Sequence, residues 1–289
     1  MMHVFYWDPA APTSGIARLT RGEVQAVFDA DKVRHLASAG GGDTWWIERG
    51  GKQSVVKIPT GDHQLTWVAR EVEGLKRGAC DNLVRVESVE QVTFSIGKRV
   101  VITFEYIDGL VVDETIRAGQ WPSPDEVRGL LRGVLSGLAI LHGHDAVHRD
   151  IKPGNLALRD GDWSRPVILD LGLARLLDVE EITKYPAVLG TKEFMAPEVI
   201  QGARAEKGAD LWSLGIVAYV LLTHDHPFYG GYDDRANDVE ALERIEAGPP
   251  DLGVHIPTDM CGLVRRWLAV DPDERGTAVE AIAALDVAI

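Results

Sequence analysis

The chain has 289 residues, is 45% hydrophobic and carries a formal net charge of −14. That length and apolar content support a large buried core in one or two folding units and exclude a disordered chain. The acidic balance excludes a sequence-independent grip on nucleic acid or anionic lipid, since both need a basic surface, and leaves a locally basic partner as the compatible kind.

The N-terminal run MMHVFYWDPAAP lacks the positive flank and apolar core of a secretory signal. Within residues 1–34, Phe5, Trp7 and the stretch Val24 to Phe28 suit either a strand or helix covering the adjacent β-rich segment, or a docking surface. Short β-like runs come next at Ser54 to Ile58, Glu90 to Ile96 and Arg99 to Tyr106, separated by Gly-containing turns, and they predict an antiparallel sheet. One amphipathic helix interrupts them from about Gln64 to Lys76, where Leu65, Val68, Val72 and Leu75 recur at helical spacing. Cys80 and Cys261 are far apart and lack metal-ligand spacing, which fits buried thiols in a reducing compartment.

After Gly109 long helical periods dominate. Ser123-Pro124-Asp125-Glu126 has the form of a capping box with Pro at the first helical position. Behind it Val127, Leu130, Leu131, Val134, Leu138 and Leu141 form one apolar stripe, so this helix packs along a core and delivers the chain to His148. The run Leu211 to Leu222 is shorter than the roughly 20 residues that span a bilayer and reads as a buried helix. With neither a membrane anchor nor repeats, the expectation is a soluble, cytoplasmic protein.

His148-Arg149-Asp150-Ile151-Lys152-Pro153-Gly154-Asn155 puts a carboxylate and, five residues on, an amide oxygen into one loop. This octet resembles the catalytic loop of the protein kinase family, of the eukaryotic (Hanks) type. The resemblance implies an α+β, two-lobe protein kinase fold, with a small antiparallel β lobe carrying one regulatory helix and a larger, mainly helical lobe. It divides the chain into an extension (1–34), an ATP-binding N-lobe (35–107) and a C-lobe holding the catalytic loop, activation segment and substrate site (108–289). It further implies that Asp150 orients the attacking hydroxyl and accepts its proton. Asn155 would help to hold magnesium, a hard cation suited to carboxylate and amide oxygens, with manganese as an alternative.

The same resemblance extends over other motifs. Asp170-Leu171-Gly172 follows the apolar run Val167 to Leu169 and matches the family's Asp-Phe-Gly turn, making Asp170 the main metal ligand. Lys57 in Val55-Val56-Lys57 stands where the family has its phosphate-contacting lysine, and Glu71, favoured over Glu73 by its spacing to Asn82-Leu83-Val84, is the implied partner. Aligned on the family's Leu-Gly-x-Gly-x-x-Gly-x-Val, the stretch Leu36 to Thr44 keeps only Gly42, with Ala37 and Ala39 in place of the first two glycines. Alanine cannot match glycine where φ is positive, so this departure bears on ATP affinity. Val55 replaces the usual Ala above the adenine and Ala157 a larger aliphatic below it, which moves bulk from floor to roof. Phe104-Glu105-Tyr106-Ile107 resembles the segment linking the lobes, with the backbone of Glu105 and Ile107 toward adenine and Phe104 at the back of the pocket.

Lys152 is the family's mark of Ser/Thr specificity, and Gly190 to Glu198 resembles the end of its activation segment, with Thr191 bonding near Asp150 and Lys152. Glu198 is expected to pair with Arg275, and Asp210 to anchor the catalytic loop from below. Arg149 marks kinases whose activation segment is ordered by phosphorylation, with Thr183 and then Tyr185 as the expected phosphosites. The acidic stretch Asp225 to Asp234 suits a solvated loop or a basic substrate segment. The implied function is ATP-dependent phosphorylation of protein Ser/Thr hydroxyls, with autophosphorylation in trans within a homodimer. The rival, resting on the altered Gly-rich loop, is a pseudokinase used as a binding or scaffolding module. The Ala/Gly/Arg-rich usage suits a bacterial or phage-encoded member.

Overall fold

The computed structural model describes residues 19–39, 42–59, 80–170, 192–231 and 238–287. Phe5 and Trp7, the helix expected near 64–76 with Glu71, and Thr183, Tyr185 and Thr191 lie outside the described residues.

A five-stranded antiparallel sheet is built from β1 (Lys32–Ala39), β2 (Gly42–Arg49), β3 (Lys52–Pro59), β4 (Val86–Phe94) and β5 (Gly97–Glu105), in the order β1-β2-β3-β5-β4. The fourth strand occupies Val86–Phe94 rather than Glu90 to Ile96, because Ser95 and Ile96 form the turn that Gly97, at φ 101°, completes. Alternation along the strands gives the sheet two apolar faces. Val33, Trp45, Ile47, Val56 and Val101 form one cluster on the outer face, together with Leu19 and Val24. That face is covered by α1 (Arg21–Phe28), so of the two sequence readings of this region the covering helix is the one found. Thr20 caps it by accepting from the Glu23 N–H at 3.2 Å, and the Glu23 carboxylate accepts from the backbone and hydroxyl of Ser95 at 2.5 and 3.0 Å.

The inner face, with Leu36, Val55, Ile102 and Phe104, runs into the main core of the second lobe. There β6 (Gly109–Val111) leads into α2 (Val112–Arg117) and α3 (Pro124–Gly143), while β7 (Leu156–Arg159) and β8 (Pro166–Ile168) complete a small sheet with β6. Helix α3 starts in the expected capping box. The Ser123 hydroxyl accepts from the Glu126 N–H, and the Glu126 carboxylate accepts from the Ser123 N–H at 2.8 Å. Its predicted stripe is buried throughout, each Leu or Val contributing about 1.5–3 kcal/mol of transfer free energy. Gly137 lets this helix approach β8, since a Cβ there would lie 2.8 Å from Ile168 Cδ1 and 3.1 Å from the Asn82 carbonyl.

The remaining strands and α-helices among the described residues are α4 (Pro197–Ile200), α5 (Lys207–Thr223), the hairpin β9 (Asp225–His226) and β10 (Gly230–Gly231), α6 (Asp238–Ala247), α7 (Thr258–Trp267) and α8 (Ala278–Val287). From Ala209 to Leu222 every residue of α5 is buried, as expected for a helix that is apolar all round. The two polar residues in that stretch that the core swallows, Asp210 and Ser213, both hold loops of the site. Among the described residues no helix is long and apolar enough to cross a membrane.

Candidate active site

The loop between α3 and β7 carries His148 to Asn155 and is fixed from below by Asp210. That carboxylate is fully buried and accepts three hydrogen bonds, from the backbone N–H of His148 (2.9 Å), the backbone N–H of Arg149 (2.7 Å) and Nε2 of His142 (2.9 Å). His148, itself 1% exposed, is a second anchor. Its Nε2 lies 2.8 Å from the Leu169 carbonyl and must donate there, so Nδ1 is the acceptor for the Asp150 N–H at 3.3 Å. One neutral imidazole thus ties the residue before Asp170 to the backbone of Asp150. Arg149 and Asp170 both take left-handed backbone, φ 70° and 53°, a costly conformation for side-chain-bearing residues that these anchors sustain.

Above this base the functional side chains converge. Asp150 Oδ2 accepts from Lys152 Nζ at 2.7 Å and from Asn155 Nδ2 at 2.8 Å, and the same amide donates to the Asp150 carbonyl at 2.7 Å. With its nitrogen spent in this way, Asn155 has its side-chain oxygen for a cation. Asp170 is reached by Lys57 from β3, whose ammonium donates to Oδ1. Desolvation in the cleft pushes the Asp170 carboxyl up, but Lys57, with Lys152 adding, outweighs it and holds the group below the usual carboxylate value. An ionised carboxylate at Asp170 and the amide oxygen of Asn155 are the kinds of donor that fit a hard divalent cation. An ammonium already seated on that carboxylate fits a site that receives phosphates.

The roof and back of the cleft come from the sheet. Val55 pairs with Phe104 across β3 and β5, and Leu36, Val55, Phe104, Ile107 and Ala157 share one buried cluster. The Glu105 N–H donates to the Arg85 carbonyl at 2.9 Å, and its carboxylate accepts from Arg159 Nη2 at 3.0 Å and from the Arg85 N–H at 2.9 Å. Glu105 therefore joins the two lobes through its side chain, a role that its sequence position did not signal.

In the β1–β2 hairpin, Ala37 pairs with Thr44, Ser38 with Asp43 and Ala39 with Gly42. Gly42 has φ 137°, and a Cβ on it would lie 2.3 Å from the Ile58 carbonyl oxygen. Neither alanine adopts a positive φ, so alanine carries no backbone penalty at 37 or 39. The outer face of the hairpin is riveted by polar side chains. Ser38 Oγ donates to the buried Asp43 carboxylate at 2.7 Å and accepts from His35 Nε2 at 2.8 Å.

Arg275 and Glu198 meet as expected, in a two-toothed ion pair at 2.7 and 2.8 Å. Arg149 carries its guanidinium partly buried, with Nε unpaired among the described residues. Desolvation and then the neighbouring Arg204 lower its pKa, against the opposing effect of Asp210. Two residues of this region escaped sequence reasoning. His142 supports Asp210, and His226 of β9 bonds the Glu193 carbonyl at 2.8 Å; neither stands in a spaced motif.

A two-lobed fold with a lysine, a loop aspartate, an amide and a second aspartate converging between the lobes defines the protein kinase class. The protein kinase domain model matches residues 51–285, and the chain belongs to that family, as a Hanks-type Ser/Thr member. It is 30% identical over 261 residues to the probable serine/threonine-protein kinase PkwA of Thermomonospora curvata, covering 88% of this chain and 33% of that protein. It is 34% identical over 199 residues to the serine/threonine-protein kinase PknL of Mycobacterium tuberculosis, covering 65% of this chain and 48% of that protein. The chain thus spans less than half the length of these two relatives. In fold it matches the crystal structure of Rad53 1-466 in complex with AMP-PNP, with a TM-score of 0.69 at 24% identity, over 86% of this chain and 62% of that one.

Proposed function

We propose that this chain transfers the γ-phosphoryl group of ATP to Ser or Thr hydroxyls of proteins, with Asp150 as the base. The observation that carries the reading is the pair of contacts Lys57–Asp170, which spans the two lobes, and Lys152–Asp150–Asn155 in the loop of the helical lobe. Magnesium-bound ATP would supply the phosphoryl group and the charge-neutralising cation. Lys57 would hold phosphate oxygens, and Asp170 with the side-chain oxygen of Asn155 would hold the metal. Asp150, oriented by the Lys152 ammonium and the Asn155 amide, would align the acceptor hydroxyl and take its proton. Lys152 would offset negative charge on the group in transfer.

Arg149, with its Nε unpaired among the described residues and Arg204 nearby, supports a phosphorylated activation segment, with Thr183 and then Tyr185 as the proposed sites. Self-phosphorylation in a dimer, magnesium as the metal and a cytoplasmic setting, suggested by the free thiols Cys80 and Cys261, complete the proposal. The test is incorporation of label from γ-labelled ATP and magnesium into dephosphorylated casein and into the chain itself, wild type against Asp150→Asn. The expected result is loss of label in the variant, with phosphopeptides mapping to residues 183–185 in the wild type. Incorporation equal in both, or absent from both, would instead favour the scaffolding role.

A further inference from the structure

His226 takes no part in the site chemistry proposed for the cleft, yet it is 6% exposed and spends both ring nitrogens on the backbone. Nε2 lies 2.8 Å from the carbonyl of Glu193, an acceptor only, so Nε2 carries the proton. Nδ1 then accepts from two N–H groups of its own turn, Phe228 at 3.1 Å and Tyr229 at 3.0 Å. The ring is boxed edge-on by Phe194, with centroids 5.9 Å apart, and by Tyr229 at 5.2 Å. The next carbonyl along, that of Phe194, accepts from Ser213 Oγ at 2.7 Å. Two consecutive carbonyls of the short 3-10 helix Lys192–Phe194 are therefore gripped from the C-lobe core, one by α5 and one by the β9–β10 hairpin. That helix directly precedes Met195-Ala196-Pro197, the chain that the Glu198–Arg275 pair pins to the large lobe.

We propose that His226 is a positioning residue for the protein acceptor, clipping the 192–194 helix to the hairpin and so setting the surface on which a substrate Ser or Thr is presented to Asp150. This rests on the kinase reading above. His226 touches neither the nucleotide side of the cleft nor the Asp150 network, so its effect falls on acceptor binding alone.

The two nitrogens are separable by substitution. In His226→Asn the amide oxygen replaces Nδ1 and keeps the hairpin turn, but nothing reaches Glu193. In His226→Gln the amide nitrogen replaces Nε2 and keeps the clip. Steady-state kinetics with dephosphorylated casein and ATP should give the Asn variant a KM for casein raised about threefold to tenfold, the worth of one lost hydrogen bond. KM for ATP should not change, and the Gln variant should return most of the loss. Hydrogen–deuterium exchange should show residues 192–196 exchanging faster in the Asn variant while Phe228 and Tyr229 stay protected. An Asn variant with wild-type casein KM and wild-type exchange over 192–196 overturns the inference, as does a rise shared by ATP or a Gln variant no better than Asn. A wild type that transfers no phosphate overturns the kinase reading instead, and the exchange comparison still decides whether the clip exists.

Discussion

The Glu198–Arg275 pair permits a quantitative prediction, because every donor of the guanidinium is accounted for. Arg275 is 1% exposed. Nε donates to the Ala269 carbonyl (2.9 Å), Nη1 to Glu198 Oε1 (2.7 Å) and the Gly208 carbonyl (3.2 Å), and Nη2 to Glu198 Oε2 (2.8 Å) and the Val270 carbonyl (3.1 Å). The Trp212 ring lies 5.0 Å from Cζ. Glu198→Ala keeps the three carbonyls but strips the buried cation of its counter-charge and leaves two N–H groups bare. Breaking such a pair costs about 3–5 kcal/mol. Because the Glu198 side chain is 21% exposed and water can reach its vacated place, the lower end applies, about 3 kcal/mol. At roughly 2–4 °C per kcal/mol for a domain of this size, the melting temperature should fall by about 6–12 °C. Urea unfolding followed by circular dichroism should give a lower midpoint at unchanged slope. The double variant Glu198→Leu, Arg275→Met removes the charge along with its partner and should recover more than half of the loss. A single-variant loss under about 1 kcal/mol, or a double variant as unstable as the two single losses added, would refute the desolvation argument.

What the sequence disclosed depended on how far its signals reach along the chain. The capping box at Ser123 is a contact between residues three apart, and the stripe behind it repeats with the helical period, so helix α3 is readable from a few neighbours. The Lys57–Asp170 contact joins residues 113 positions apart, and no local pattern encodes it. It was accessible only through resemblance, as were the Asp210 anchor and the Glu198–Arg275 pair. Sequence alone misplaces the end of β4 because Ile96 continues the apolar run, whereas the turn is fixed by Gly97. At the β1–β2 hairpin the missing glycines suggest a weakened loop; among its described residues, position 42 alone has the left-handed backbone and the close approach that demand glycine. The stiffening by His35, Ser38 and Asp43 emerges only once the 38↔43 register is known. His142 and His226 gave no signal for a similar reason, since each reaches a partner contributed by a distant segment.

Gly42→Ala should raise KM for ATP several-fold and lower thermal stability, through a positive φ and a Cβ driven into the Ile58 carbonyl, whereas Ala37→Gly should leave KM for ATP nearly unchanged; titrating ATP in the casein assay compares them. His226 makes stability depend on pH in a window free of carboxylate titration. Burial, against the opposing effects of the Glu193 backbone and carboxylate, holds its pKa down to about 4 from an ordinary 6.5. Tyr229 packs on the ring, and Asp225, Tyr219 and Arg244 line the adjoining cavity. The unfolded chain takes up a proton at this residue as pH falls below 6.5, and the folded chain does not until about pH 4. Stability is therefore fully present above the unfolded value and declines as the solution is acidified. From pH 7 to 5.5 the loss from this group is about 1.2 kcal/mol. At pH 5.5 the chain is still above its isoelectric point of about 5.1, so it remains net negative in solution. His226→Gln removes the titrating group, and its unfolding free energy from urea titration should fall less over the same interval by that amount. Equal pH dependence in wild type and variant would mean that His226 is not held neutral in the fold, and the hydrogen-bond assignment at both of its nitrogens would fall with it.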